Sequence, residues 1–247
     1  MRMPKQPGPF TLGPAALLLC GAAANAAAYT ADFEGGTVGA EWTSLTPGLT
    51  LAIDAAPNGQ HFLGALDNSN LGLPESGVQL RLGGASGYSG FNISFDLYAI
   101  GAWHGNAFAP VPSFFAATFN NGATSLALIN TTFSNDAAVS QSYSANFYVA
   151  NPAFTGSSAQ NTLGYAVDTT YSLGTAWGFA ASTNDLVFTF FAAGLGPLAN
   201  ASWGIDNVVV NLTTDDGGGG GTVPLPAAVW LFGTALGAIA LHRRPQA

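Results

Sequence analysis

Two short stretches place carboxylates where a cation or a reaction could use them. Asp32-Phe33-Glu34-Gly35-Gly36 opens the middle section of the chain, and Trp203-Gly204-Ile205-Asp206-Asn207-Val208 closes it. Calcium prefers a shell of oxygens, so Asp32, Glu34 and Asp206, helped by backbone carbonyls at the glycine pair, are the candidate ligands of a structural Ca²⁺. Such a site needs the first and last strands to lie side by side. Strand parity opposes it, because Asp206 shares a face with Val208 and Val210 unless a bulge intervenes. A third stretch runs from Asp96-Leu97-Tyr98 through Trp103-His104-Gly105-Asn106, a strand pattern leading into an aromatic loop. Tyr98 and Trp103 are the candidate stacking platform for a sugar ring. The competing reading is a Trp103 packed over the sheet edge.

Catalysis finds less support. A glycosidase needs two facing carboxylates, and the only glutamates are Glu34, Glu41 and Glu75. His61 and His104 are the only histidines of the middle section, and neither stands at a metal-ligand spacing. Gly87-Tyr88-Ser89-Gly90-Phe91 fails the nucleophile-elbow pattern at its last position. No catalytic residue is assigned, and a glycoside-acting enzyme is left as the last alternative.

The elements that must position these residues read as strands. Thr50 to Asp54, Val78 to Leu82 and Phe91 to Ile100 alternate with period two. Phe114 to Phe119 and Ser125 to Phe133 flank Asn120-Asn121-Gly122, a tight-turn signal. Asn146 to Ala150, Thr162 to Val167, Trp177 to Ala181, Leu186 to Ala192 and Ile205 to Leu212 bring the total to about ten. Gly and Ser clusters separate them, and no window of this middle section sustains a helical period. The expected fold is all-β: a single antiparallel β-sandwich, jelly-roll-like, over residues 29–212.

Composition bounds the partners. Of five basic residues, Arg2, Lys5, Arg243 and Arg244 lie at the ends, whereas all 13 acidic residues lie between Asp32 and Asp216. With Arg81 as its only Lys or Arg, the part between the ends carries a net charge of about −12. Nucleic acid is excluded as a partner, since phosphate binding needs clustered Lys and Arg. Only 7 % of residues are charged, so the surface must be built largely of Ser, Thr, Asn and Gly. Asn92, Asn130, Asn200 and Asn211 begin Asn-x-Ser/Thr triplets, which chance explains in a chain of this composition.

Both ends read as targeting segments. Arg2 and Lys5 precede an apolar run of about ten residues ending near Cys20, followed by small residues: a signal peptide over residues 1–28, cleaved after Ala26 or Ala28. Its removal takes away the only cysteine. At the other end a Gly-rich linker, residues 213–222, contains Gly217 to Gly221 and forms a flexible tether. Then Val223-Pro224-Leu225-Pro226-Ala227 leads into a transmembrane helix expected over residues 226–241, and His242-Arg243-Arg244 follows it. Pro224 to Leu241 is an uncharged run of 18 residues, roughly 27 Å as a helix and near the lower limit for a bilayer core of about 30 Å. Arg243 and Arg244 fix its end on the cytoplasmic side.

This tripartite tail, residues 223–247, resembles the VPLPA variant of the PEP-CTERM sorting signal. The resemblance covers Val223, Pro224, Leu225, Pro226 and Ala227, the apolar helix, and Arg243 with Arg244. It implies recognition by an exosortase, a membrane-embedded cysteine peptidase, in a Gram-negative bacterium that makes exopolysaccharide or biofilm matrix. Asp96 to Asn106 also looks similar to a segment of sandwich domains that carry such tails, with His104 standing where Asp is usual. A calcium ion on Asp32, Glu34 and Asp206 would be similar to the structural site of many carbohydrate-binding-module-like sandwiches. The expected function is therefore an exported surface or matrix protein, transiently anchored in the inner membrane and non-catalytic, with exopolysaccharide as partner. The alternative is a jelly-roll carbohydrate-binding module.

Overall fold

Phe91, Ile93, Phe95 and Leu97 alternate with Asn92, Ser94 and Asp96, so a strand here turns one face to a core and the other outward. The computed structural model describes residues 26–46, 48–67, 75–84, 87–107, 112–145, 149–182, 185–195 and 200–214. In it the first set is buried, while Asn92 and Ser94 are exposed. The described residues form β1 (Ala26–Ala31), β2 (Trp42–Ser44), β3 (Ile53–Ala55), β4 (His61–Leu66), β5 (Glu75–Leu82) and β6 (Tyr88–Gly101). They continue as β7 (Phe114–Asn120), β8 (Ser125–Thr132), β9 (Ala159–Gln160), β10 (Asp168–Ser182), β11 (Leu186–Ala193) and β12 (Ala201–Thr214). The leader before residue 26 and everything after residue 214, including the tether's glycines, the Val223–Ala227 motif and the expected transmembrane helix, lie outside the described residues. Among the described residues no helix is long and apolar enough to cross a membrane.

The fold is all-β, two antiparallel sheets packed as a sandwich. The larger sheet runs β3-β4-β12-β6-β10-β9, with β1 also paired to β12; the smaller runs β2-β5-β11-β7-β8. Strands β4 to β8 and β10 to β12 follow a jelly-roll order: the first of the eight lies beside the last, and the second beside the seventh. The sheets meet through aromatic rings, such as Phe95 on Phe190 at 5.0 Å and Phe91 on Phe188 at 4.9 Å, both edge to face. Contacts of this kind contribute about 0.5–1.5 kcal/mol beyond the area they bury.

The hairpin read at Asn120-Asn121-Gly122 forms between β7 and β8. Asn121 Oδ1 accepts hydrogen bonds from the Ala123 and Thr124 amides, and Gly122 takes the positive φ. Other sequence expectations differ from the structure. Of Thr50 to Asp54, only Ile53 and Asp54 enter a strand, and Val149–Ala150 belong to none. Thr162 to Val167, which alternates as a strand would, is a loop. The Asp168 carboxylate accepts hydrogen bonds from the Thr162, Leu163 and Tyr165 amides at 2.9, 3.1 and 3.2 Å. A side chain that captures these donors removes them from any sheet ladder.

A second, smaller core sits on the outer face of the large sheet. Ala56, Phe62, Tyr98, Ile100 and Leu163 bury one another there, with Ala65 and Tyr165 packed against them. Outer-face residues of β6 are therefore polar at one end and buried at the other.

Candidate functional site

The first and last strands do meet: Ala31 lies opposite Val208 in β1 and β12. The parity conflict at Asp206 is resolved by a bulge. Asp206 pairs with Asp96 and Val209 with Ser94, so β12 spends one extra residue, and Asn207 has φ +50°. Ile205, Val208 and Val210 thereby face the core while Asp206 and Asn207 both turn outward.

The three carboxylates expected to share calcium are nevertheless engaged separately. Asp206 Oδ2 accepts hydrogen bonds from Tyr98 Oη at 2.9 Å and Gln60 Nε2 at 3.1 Å, and its Oδ1 from the Asn207 amide. Burial pushes its carboxyl above the usual carboxylate range, opposed by those hydrogen bonds. Glu34 pairs with His61 Nδ1 at 3.0 Å, and that bond holds its carboxyl below the usual range. Asp32 accepts from the Glu34 amide. Among the described residues no three His, Cys, Asp or Glu side chains gather to hold a metal ion. Asp32, Glu34 and Asp206 thus each hold their own hydrogen-bond partners and do not converge on one point in this arrangement.

The expected sugar platform is corrected as well. Trp103 is 0 % and Tyr98 1 % exposed, so neither offers a face to a ligand. Gly101, at φ +76°, turns the chain at the end of β6, and the Ala102 amide donates to the Asn200 carbonyl. Trp103 is thereby swung inward, where its Nε1 donates to the Ser202 carbonyl at 2.8 Å and its ring meets Phe133. Tyr98 lies under the outer small core with its ring edge to face on Phe62.

What the outer face does offer is a cleft of about 300 Å³ beside that small core. Ile100 and Ala65 contribute apolar surface, Tyr165 and Val167 come from the loop before β10, and Asp54, Asn200 and Ser202 supply polar groups. The loop is held firmly. Besides the three bonds to Asp168, the Asn58 side-chain amide donates to the Thr162 carbonyl and the Gly101 amide to the Val167 carbonyl. Tyr165 is therefore half-buried and positioned, and its phenol is pushed up by burial first and by Asp54 and Asp168 second. Asp54 is fixed by the Ala55 amide at 2.8 Å on Oδ1 and the Ala65 amide at 3.3 Å on Oδ2. A second cleft of about 200 Å³ adjoins it between β4 and the segment Thr46 to Ala52 that leads into β3, and Ala65 lines both. Sequence reading missed Tyr165 because its segment passed for a strand. The available signal was the acidic residue closing a loop that carries a glycine, Gly164 at φ +91°.

No protein-family model matches the chain, and no curated protein does. Among solved structures it is similar to a carbohydrate-binding module determined with β-1,4-galactotriose, at 9 % identity and a TM-score of 0.40, over 73 % of this chain and 94 % of that one. A carbohydrate-binding module specific for non-crystalline cellulose shares 12 % identity at a TM-score of 0.42, over 74 % and 92 %. The K3 cleaved adhesin domain of Lys-gingipain from Porphyromonas gingivalis W83 shares 13 % at 0.41, over 74 % and 97 %.

Proposed function

We propose that this is an exported, non-catalytic surface or matrix protein whose tail is an exosortase-recognised address and whose body associates with exopolysaccharide. The observation that carries the reading is the order of parts at the C-terminal end. β12 has paired with β1, β4 and β6 by Thr214, and the Asp215-Asp216 pair, five glycines and Val223-Pro224-Leu225-Pro226-Ala227 follow only then. Every described strand of the sandwich precedes the address, so cutting the tail leaves their pairing intact. The short apolar run and the closing arginine pair support a temporary hold in the inner membrane of a Gram-negative cell. A chain ending at Thr222, expressed beside the full-length one, tests this. The truncated form should leave the envelope fraction, and its retention there would overturn the sorting role.

A second reading, a carbohydrate-binding module, is favoured by the outer-face cleft. It joins a positioned aromatic, apolar surface and several polar groups, the mixture that orients a small ligand.

A further inference from the structure

We infer that the cleft bounded by Tyr165, Val167, Ile100, Asp54 and Asn200 takes an uncharged pyranose of a glycan chain, without a metal ion. The inference rests on the carbohydrate-binding reading and not on the sorting tail. A volume of about 300 Å³ stands at the small end of ligand pockets, which suits one sugar ring better than a long buried chain. The C–H face of a pyranose is apolar and its rim is hydroxylic. Tyr165, Val167 and Ile100 supply an aromatic and aliphatic surface for the former.

The rim chemistry is supplied by Asp54 and Asn200. Each Asp54 oxygen accepts one backbone amide, and an ionised carboxylate has roughly four acceptor sites, so capacity remains for sugar hydroxyls to donate. Asn200 is exposed at the rim and offers both donor and acceptor. Both groups sit on held backbone: Asp54 pairs with Phe62 between β3 and β4, and the Asn200 carbonyl accepts from the Ala102 amide at 2.7 Å. A rim that is ordered beforehand loses little freedom when a ligand arrives.

Charge decides which sugars fit. The cleft holds Asp54, and Asp168 lies behind its loop. Arg81, the only Lys or Arg of the body, lies on β5 in the other sheet and pairs with Asp185 at 2.9 Å. A uronate or phosphorylated sugar would meet like charge with no Lys or Arg to offset it. The adjoining cleft across Ala65 leaves room for the ring's neighbour in a chain.

The test uses the purified full-length chain and four uncharged probes, cellotriose, β-1,4-galactotriose, xylotriose and mannotriose, with trigalacturonate as the anionic comparison. At least one uncharged probe should bind by titration calorimetry, unchanged by EDTA, and more tightly than trigalacturonate. Tyr165→Ala should weaken it about tenfold or more, Tyr165→Phe should retain most of the affinity, and Asn200→Ala should weaken it several-fold. Thermal melting of each variant separates lost binding from lost folding, and the exposed Asn200 keeps the test open if Tyr165→Ala unfolds. Uncharged binding that survives both Tyr165→Ala and Asn200→Ala overturns this cleft while leaving glycan binding intact. Preference for trigalacturonate, or abolition by EDTA, overturns the ligand class. Binding of no probe overturns the cleft and the carbohydrate-binding reading together, and leaves the sorting tail untouched.

Discussion

Trp103 and Tyr165 occupy matching places at one end of a strand pair. Ile100 of β6 faces Asp168 of β10; Trp103 follows the one by three residues and Tyr165 precedes the other by three. One ring is wholly inside the sandwich, and the other is half-buried on the outer face. Both are amphipathic aromatics in loops, so residue type does not separate them. The difference lies in which groups capture the backbone. At Trp103 a glycine turn and the Asn200 carbonyl steer the chain inward, whereas at Tyr165 a buried carboxylate gathers three amides and lays the loop along the outside. An aromatic at a strand end becomes core or surface according to its neighbours' hydrogen bonds.

The largest effect expected from this contrast is at Trp103. Trp103→Ala should cost about 3–5 kcal/mol, the range for deleting a fully buried aromatic, measured by urea unfolding of the purified chain. A loss below about 1 kcal/mol, the scale of surface changes, would mean that the ring is not a core element. Next comes the capturing group itself. Asp168→Ala leaves three amides without their acceptor and should cost about 2–3 kcal/mol, with Tyr165 becoming more accessible to chemical iodination. Asp168→Asn, which keeps one acceptor oxygen, should cost less. Equal losses for the two would detach the loop's shape from amide capture.

Tyr98 and Asp206 allow a subtler test on the same outer face. Burial raises the Asp206 carboxyl, and a raised carboxyl favours the folded state most when protonated. That contribution is fully present below the unfolded value of about 3.9 and is lost as pH rises through the folded one. Asp206→Asn does not titrate, so its stability relative to the parent should improve from about pH 4 toward pH 7. A gap that stays constant across that range would show that the carboxyl is not raised. The smallest effect belongs to Trp177, 49 % exposed on β10. Trp177→Ala should shift stability by under about 1 kcal/mol, as surface changes do. A loss approaching that of Trp103→Ala would blur the distinction between core and surface rings.

Much of the fold was legible because period two is a direct consequence of the pleat. Phe91 to Leu97 announced its buried face, and Asn120-Asn121-Gly122 its hairpin. The meeting of the first and last strands was expected of a jelly roll, although β1 joins β12 from outside the eight strands that follow that order. What could not be read were the points where a side chain overrides the ladder. Thr162 to Val167 alternates yet is looped, because Asp168 takes its donors. Asp206 should face inward by parity, yet Asn207 at positive φ reverses it. The site suffered more than the fold for the same reason. Trp103 and Tyr98 were chosen for their chemistry, but burial depends on residues distant in sequence, Ser202 and Phe133 for one, Phe62 and Asp206 for the other.

The place of β12 has a consequence for time. The last strand of the body is the one between β4, β1 and β6, so three strands made earlier have no permanent partner there until residues 201–214 arrive. Contacts of such long sequence separation form slowly, and edges left open meanwhile invite pairing with other chains. The larger sheet is therefore complete only once β12 is in place. A chain halted before residue 201 is an unfinished sheet and not a smaller domain.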